Sequence, residues 1–230
     1  MKTKALFFDA GPVITLVMAR LINVLPLLKA KYGGKFYITP AVHKELVERP
    51  ISVKRFEFEA LQVEKLMRDG ILELYDAVPK KKVVELIALA NGSFSLDGKT
   101  MDVIQSGEME SVATALEIGA EGVVMDERTL RLFIENNKEM VKLLENRFKK
   151  RVMADKDKMN LFSAALKEVT IIRSIELVGL AYKIGLLDGY VPEGKEGKEV
   201  LVDAVLWATK FNGCAVTEEE IEDLKNFLLK

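Results

Sequence analysis

Short apolar runs alternate along this chain with longer segments in which apolar residues recur at helical spacing. The runs are typical of strands buried on both faces of a parallel sheet, and the longer segments are typical of the helices that cover such a sheet. The predicted strands are 4–9, 36–38, 71–75, 122–126 and 169–172. The predicted helices are 12–31, 40–48, 55–68, 80–91, 108–118, 129–150, 174–184, 200–211 and 217–229. This alternation predicts an α/β fold with a parallel sheet flanked by helices.

Local signals place several helix ends. Thr39 and Pro40 supply an N-cap and a first-turn proline, Gly119 fits the position after a helix, and Thr217 with Glu220 forms a capping box. The polar segment 91–106 is predicted to be a loop. We interpret 1–230 as a single domain that carries a helical insertion at 133–168 and ends in C-terminal helices at 195–230.

Composition excludes several classes of protein. The net charge is −1, so no global positive field indicates a nucleic-acid binder, and any RNA contact must come from local basic patches. With one cysteine and one histidine the chain has neither a disulfide framework nor a zinc ligand set, which fits a reducing cytoplasm. His43 is read as a partly exposed helical residue. Any chemistry must therefore rest on carboxylates.

The same pattern predicts no membrane span. The longest uncharged apolar run, 10–19, lies between Asp9 and Arg20. A longer span would place Arg20 at mid-bilayer, at a cost of roughly 2.5–3.5 kcal/mol. Asp9 also interrupts the place where a secretory signal would need its apolar core.

Two aspartates stand where predicted strands end. Asp9 ends the first strand and Asp126 ends the fourth. Ligands of an open parallel sheet bind in the crevice at the carboxyl ends of its strands. Acids gathered there repel one another unless cations lie between them, and carboxylates without histidine or thiolate select Mg²⁺ or Mn²⁺. The sequence therefore predicts a hard-metal site able to activate water.

Five segments in order resemble motifs of the PIN-domain family. They are FFDAGPVI at 7–14, TPAVHKEL at 39–46, GEMESVATAL at 107–116, MDER at 125–128, and the helix that begins with SIEL at 174–177. The match covers most of the chain except 133–168.

The resemblance implies a metal-dependent endoribonuclease that hydrolyses RNA through carboxylate-bound Mg²⁺ or Mn²⁺. It implies catalytic metal-site roles for Asp9, Glu45, Glu108 and Asp126. Further candidates are Glu110 and Glu127 as metal ligands and Arg128 and Arg131 as phosphate contacts. It also implies RNA as a partner, a homodimer, and a protein partner of the antitoxin or RNA-processing kind. Whether the role is toxin, RNA maturation or decay stays open.

Several alternatives stay open. Glu108 and Glu110 are separated by about 200° around a helix, so both cannot point straight into one site, and Glu108 ranks first. Gly11 occupies a position where PIN domains commonly carry Ser or Thr, which keeps a second function in play: a catalytically weak or inactive PIN-like scaffold that binds RNA or a protein. Gly11 also removes the second aspartate that a haloacid-dehalogenase-type phosphatase needs, and no Gly-x-Gly-x-x-Gly follows the first strand.

Two further expectations follow from charge. The segment 133–168 is highly charged, with a basic cluster at 147–151, and we expect it to extend an RNA-binding or dimer surface. Two Gln, one Cys, one His and many Lys, Glu and Arg residues suggest a thermophilic origin. A melting temperature above ~65 °C would support that origin.

Overall fold

The structure is a computed structural model that describes residues 2–135 and 137–230. In chain order its strands are β1 (Thr3–Phe8), β2 (Lys35–Ile38), β3 (Glu73–Leu74), β4 (Phe94–Leu96), β5 (Lys99–Thr100), β6 (Ala120–Val124), β7 (Met153–Ala154) and β8 (Ile171–Ile172). Its helices are α1 (Ala10–Met18), α2 (Val24–Tyr32), α3 (Pro40–His43), α4 (Glu57–Arg68), α5 (Lys80–Asn91), α6 (Ser106–Ile118), α7 (Arg128–Glu135), α8 (Asn137–Phe148), α9 (Lys156–Leu166), α10 (Ser174–Lys183), α11 (Gly197–Phe211) and α12 (Glu218–Leu228).

A five-stranded parallel sheet in the order β3-β2-β1-β6-β8 lies at the centre of the protein, which confirms the predicted α/β class. From β1 the chain winds outward through β2 to β3, then returns to β6 on the other side of β1. The boundary between β1 and β6 is therefore the point where the winding direction reverses, and such points form ligand crevices in open α/β sheets.

The two faces of β1 support separate cores because successive side chains of a strand point to opposite faces. Leu6 and Phe8 pack into a core shared with α1, α2 and the C-terminal helices α10 to α12. Ala5 and Phe7 pack into a second core with α5 to α9. Helices thus cover both faces of the sheet, which explains why β1 reads as an unbroken apolar run.

The predicted helix that runs from the turn containing Pro12 to about residue 31 is wrong in one respect. Pro12 does lie in the first turn of α1, which begins at Ala10 because Asp9 takes the N-cap position, but the segment is divided into α1 and α2. Between these helices Arg20 adopts a left-handed conformation with φ 60°. Pro26 carries a local signal for the division, because it lies in the first turn of α2, where proline is tolerated. The predicted helix 40–48 also changes character, since α3 continues as a π-helical turn, Lys44–Glu48.

The predicted loop 91–106 contains a β-hairpin, so that prediction was wrong as well. β4 and β5 pair antiparallel across Asp97 and Gly98, both with positive φ. An Asp-Gly pair is a strong hairpin signal, and it identifies this turn. β4 also pairs antiparallel with β7, which completes a three-stranded sheet in the order β5-β4-β7.

The segment 133–168 is integrated into the second core. Phe133 and Phe162 meet edge to face with ring centroids 4.8 Å apart, and Phe94 from β4 packs on Phe133 at 5.2 Å. The predicted helix 129–150 corresponds to α7 and α8; residue 136 lies outside the described part of the chain. The predicted C-terminal helices correspond to α11 and α12. Within the described ranges, no helix has the length and apolar character needed to cross a membrane.

Candidate functional site

An acidic cleft opens at the carboxyl ends of β1 and β6. The two strand ends are joined by a hydrogen bond from the Asp9 amide to the Val124 carbonyl, with N and O 2.9 Å apart. The cleft has a volume of about 670 Å³. Its acidic lining residues are Asp9, Glu45, Glu108, Asp126 and Glu127. It therefore contains the four acids predicted as catalytic, together with one predicted metal ligand.

Asp9 is the N-cap of α1, and its carboxylate accepts the Gly11 amide at 3.4 Å. Burial raises the pKa of Asp9 to about 6, against the opposing effect of the Ala10 and Gly11 amides. The charges of Glu45 and Asp126 raise this pKa further. Burial and the neighbouring negative charges therefore both disfavour the charged form of Asp9.

Glu108 lies in the first turn of α6, and its Oε2 accepts the Gln105 amide at 3.2 Å. Burial raises the pKa of Glu108 to about 7, and the charge of Glu127 adds to the effect. The Gln105 amide lowers the pKa, whereas the charges of Asp9 and Glu45 raise it. Asp9 and Glu108 are therefore members of one electrostatically coupled group.

The structure distinguishes the two glutamates of α6 that the sequence left open. Glu108 lines the cleft, whereas Glu110 lies outside that lining and accepts the Ala41 amide at 3.2 Å. Glu110 therefore ties α6 to the start of α3. Since α3 leads into the turn that carries Glu45, this bond helps to place Glu45 beside the cleft.

Glu45 and Glu127 lie at the sides of the cleft and are more exposed than Asp126. Glu45 is exposed on the π-helical turn. Glu127 precedes α7, and its Oε2 accepts the Leu130 amide at 2.7 Å. Both side chains act on the cleft through charge, because each raises the pKa of Glu108.

Asp126 is the most enclosed of the five acids, with 6% of its surface exposed. Its Oδ1 accepts the Ser174 amide at 2.8 Å, and its Oδ2 accepts the Thr15 hydroxyl at 2.9 Å. The Ser174 hydroxyl lies within hydrogen-bond distance of both oxygens, at 2.9 and 2.8 Å. Asp126 therefore joins α1 and α10 at the floor of the cleft.

The C-terminal segment between α11 and α12 closes one side of the cleft. Gly213 and Ala215 line it, and the Cys214 thiol contacts Asp126. Burial raises the pKa of the Cys214 thiol to about 12, and the Asp126 charge adds to the increase. The sequence did not indicate this wall, because these residues are more than eighty positions beyond the acids and carry no motif.

Positive side chains flank the acids on the outer part of the cleft. Lys44, Arg49 and Arg128 belong to its lining. Arg131, the second predicted phosphate contact, instead donates from Nη1 to Glu220 Oε1 at 2.9 Å and is absent from the lining. The structure therefore brings Arg128 to the cleft but directs Arg131 to α12.

The donor set fits a hard divalent cation in its chemistry. Five carboxylates line one cleft, two of them have raised pKa values, and carboxylate oxygens are the ligands that Mg²⁺ and Mn²⁺ prefer. Among the described residues, however, no three His, Cys, Asp or Glu side chains converge closely enough to hold one ion. Coordination by three of these acids would require exposed side chains such as Glu45 to rotate inward.

Comparison with known protein families, with curated proteins and with solved structures finds no match to this chain. Membership of the PIN family therefore stays a prediction that rests on the sequence motifs.

Proposed function

We propose that this chain is a metal-dependent endoribonuclease of the PIN type. One observation supports the proposal above all: five carboxylates from four separate segments share the cleft at the reversal point of the sheet. Like charges in a partly buried space repel, so such crowding destabilises the protein when no ligand is bound. A bound cation removes that repulsion.

The cleft supplies the parts that phosphodiester hydrolysis needs. A bound Mg²⁺ or Mn²⁺ would activate water and stabilise charge on the phosphoryl oxygens. Asp9, Glu108 and Asp126 would hold the cation, with Glu45 and Glu127 as side chains able to close on it. The guanidinium of Arg128 would contact an RNA phosphate, because a planar guanidinium pairs with phosphate oxygens in a bidentate manner.

Substrate attraction in this proposal is local. The net charge is −1, so the protein as a whole does not attract the negatively charged phosphate backbone of RNA. Lys44, Arg49 and Arg128 instead place three positive charges around the acids. RNA would be drawn to the outer part of the cleft while the metal occupies the inner part. The one cysteine favours a cytoplasmic location for this activity.

Substitution of Asp9 by Asn tests the proposal. Wild type and Asp9→Asn would be incubated with a labelled single-stranded RNA and Mn²⁺, with Asp223→Asn as the control. Asp223 is an exposed acid on α12 that does not line the cleft. We expect cleavage by wild type and by Asp223→Asn, and none by Asp9→Asn or after chelation. Equal cleavage by all three proteins would place any activity elsewhere.

A second function is favoured by two observations. The acids do not converge on one point, and an apolar groove of about 490 Å³ lies next to the cleft. Ile14, Met18 and Phe211 line this groove and are at least 40% exposed. A non-cleaving scaffold would use such a surface to bind a second copy of the chain or an antitoxin-like or RNA-processing protein.

The two functions differ in their response to metal. A nuclease would bind Mn²⁺ in calorimetry and would lose that binding in Asp9→Asn, whereas a scaffold need not bind the ion at all. RNA binding that is unaffected by Mn²⁺ and by Asp9→Asn would favour the scaffold.

A further inference from the structure

The environment of Asp126 is more elaborate than burial of one carboxylate requires. Thr15 and Ser174 are 111 and 48 residues away in sequence, yet their hydroxyls both reach its oxygens. Both residues are almost fully buried, with exposed fractions of 1% and 0%. These hydroxyls have no part in the proposed reaction as described so far.

The hydrogen bonds restrict the orientation of the Asp126 carboxylate relative to the cleft. A carboxylate has about four lone-pair positions. The Ser174 amide, the Ser174 hydroxyl and the Thr15 hydroxyl use about three of them, and the Cys214 thiol contacts the carboxylate as a weak donor. A cation that displaced the thiol would meet the carboxylate in a defined direction, because the three stronger donors come from two helices that the core holds in place.

The Thr15 hydroxyl also links the two strand-end aspartates. Thr15 belongs to α1, the helix that Asp9 caps, so its bond to Asp126 connects the middle of this helix to the segment that follows β6. A change at Thr15 would therefore alter the relative orientation of the Asp9 and Asp126 carboxylates. Such groups behind a metal ligand typically contribute 10–100-fold to metal affinity.

The C-terminal segment leaves room for this arrangement. A Cβ at Gly213 would lie 2.8 Å from the Thr15 hydroxyl oxygen, and the Gly213 φ of 138° is one that residues with side chains rarely adopt. Gly213 thus lets the chain pass close to Thr15 without displacing the hydroxyl from Asp126.

We propose that Thr15 and Ser174 are positioning residues, which orient the Asp126 carboxylate so that it and Asp9 bind one divalent cation. The inference rests on the proposed function, because it assigns the hydroxyls to the same metal site. Neither residue touches the substrate. Each acts through Asp126.

Matched substitutions test this inference with the intact chain. Thr15→Val and Ser174→Ala each remove one of the two hydroxyls that bond Asp126. Thr15→Ser keeps a hydroxyl at position 15. The controls are Thr114→Val and Ser93→Ala, which remove equally buried hydroxyls bonded to the carbonyls of Glu110 and Leu89 at 2.6 and 2.7 Å. Mn²⁺ dissociation constants come from calorimetry, and melting temperatures are measured without metal.

We expect Thr15→Val and Ser174→Ala to weaken Mn²⁺ binding roughly 10–100-fold. Thr15→Ser should stay within about threefold of wild type, because the hydroxyl is retained. The controls should lose some thermal stability without losing Mn²⁺ affinity, which separates positioning from a merely structural role. If Thr15→Val does not fold, Ser174→Ala alone tests the inference, since this variant keeps the hydrogen bond from the backbone amide of residue 174 to Asp126.

The outcomes separate this inference from the proposed function. Wild-type affinity in both Thr15→Val and Ser174→Ala would overturn the positioning role while leaving the nuclease in place. Tight Mn²⁺ binding by wild type without RNA cleavage would remove the nuclease and leave the positioning role measurable. Absence of Mn²⁺ binding by wild type would overturn both.

Discussion

In two neighbouring regions of this protein, the surroundings shift the pKa values of carboxylates in opposite directions. In the acidic cleft, burial and neighbouring negative charges raise the pKa values of Asp9 and Glu108 to about 6 and 7. Around Glu220 the reverse holds. Burial raises its pKa, but the Thr217 amide and the guanidiniums of Arg131 and Arg173 together lower it to about 2.

The paired network around Glu220 consists of Arg131, Arg173, Glu176 and Glu220. Glu220 Oε1 accepts from both arginines, at 2.9 and 2.8 Å, and Arg173 also pairs with Glu176. The network ties α12 to α7 and α10. It directly adjoins the cleft, because Arg173 precedes Ser174, which holds Asp126.

The contrast shows what each group of charges is suited to do. The paired network satisfies its charges within the protein, so it stabilises the packing of the C-terminal helices. In the cleft, the main influences that raise the pKa values of Asp9 and Glu108 are burial and negative charges, so a positive ligand from outside would stabilise it. Four predictions test this difference, in order of decreasing expected effect.

The largest effect is expected for Asp9→Asn. The substitution keeps the shape of the side chain but removes a formal charge, so Mn²⁺-dependent cleavage should fall by at least about a hundredfold. Without metal the melting temperature should stay level or rise, because one source of repulsion is gone and Asn caps a helix about as well as Asp. Equal Mn²⁺-induced increases in melting temperature for both proteins would contradict the metal site.

A smaller loss of stability is expected when the paired network is broken. Glu220→Ala leaves two guanidiniums without their shared partner, and we expect the free energy of unfolding to fall by about 1–2 kcal/mol. This is less than the ~3–5 kcal/mol for a fully buried pair, because the Glu220 side chain is 31% exposed. Glu219→Ala, in the same turn of α12, is the control for urea denaturation. A loss no larger than that of Glu219→Ala would mean that the network is not stabilising.

The contribution of Glu220 should also depend on pH. Its pKa is about 2 in the folded protein and ordinarily 4.5, so the stability it provides is complete above about pH 5 and is lost as the pH falls toward 2. The difference in unfolding free energy between wild type and Glu220→Gln should therefore shrink between pH 6 and pH 2. A difference that stays constant over this range would show that the charge of Glu220 is not the source of its contribution to stability.

The smallest effect is expected for an exposed ion pair. Lys54 pairs with Glu57 at 2.9 Å, but the Lys54 side chain is 91% exposed. Lys54→Ala should change the free energy of unfolding by less than about 0.5 kcal/mol, because water and salt screen such a pair. A larger loss would show that exposure is a poor guide to which ion pairs stabilise this protein.

The sequence alone determined the frame of the protein. The apolar run that ends at Asp9 and the one that ends near Asp126 became neighbouring parallel strands, and the signals at Thr39, Gly119 and Thr217 placed their helix ends correctly. These features are local, because the periodicity of apolar residues and the chemistry of caps act over a few positions. Acids at the ends of parallel strands therefore came together as predicted.

Only the tertiary structure decided how the site is completed. Thr15, Ser174 and Cys214 meet at Asp126 from segments that no local signal connects, and Arg131 turns to Glu220 instead of the cleft. A side chain's partner across a hundred residues depends on how helices pack against the sheet, and periodicity does not encode that geometry. Long-range packing therefore determined the environment of each acid, while the local sequence determined where along the chain the acids stand.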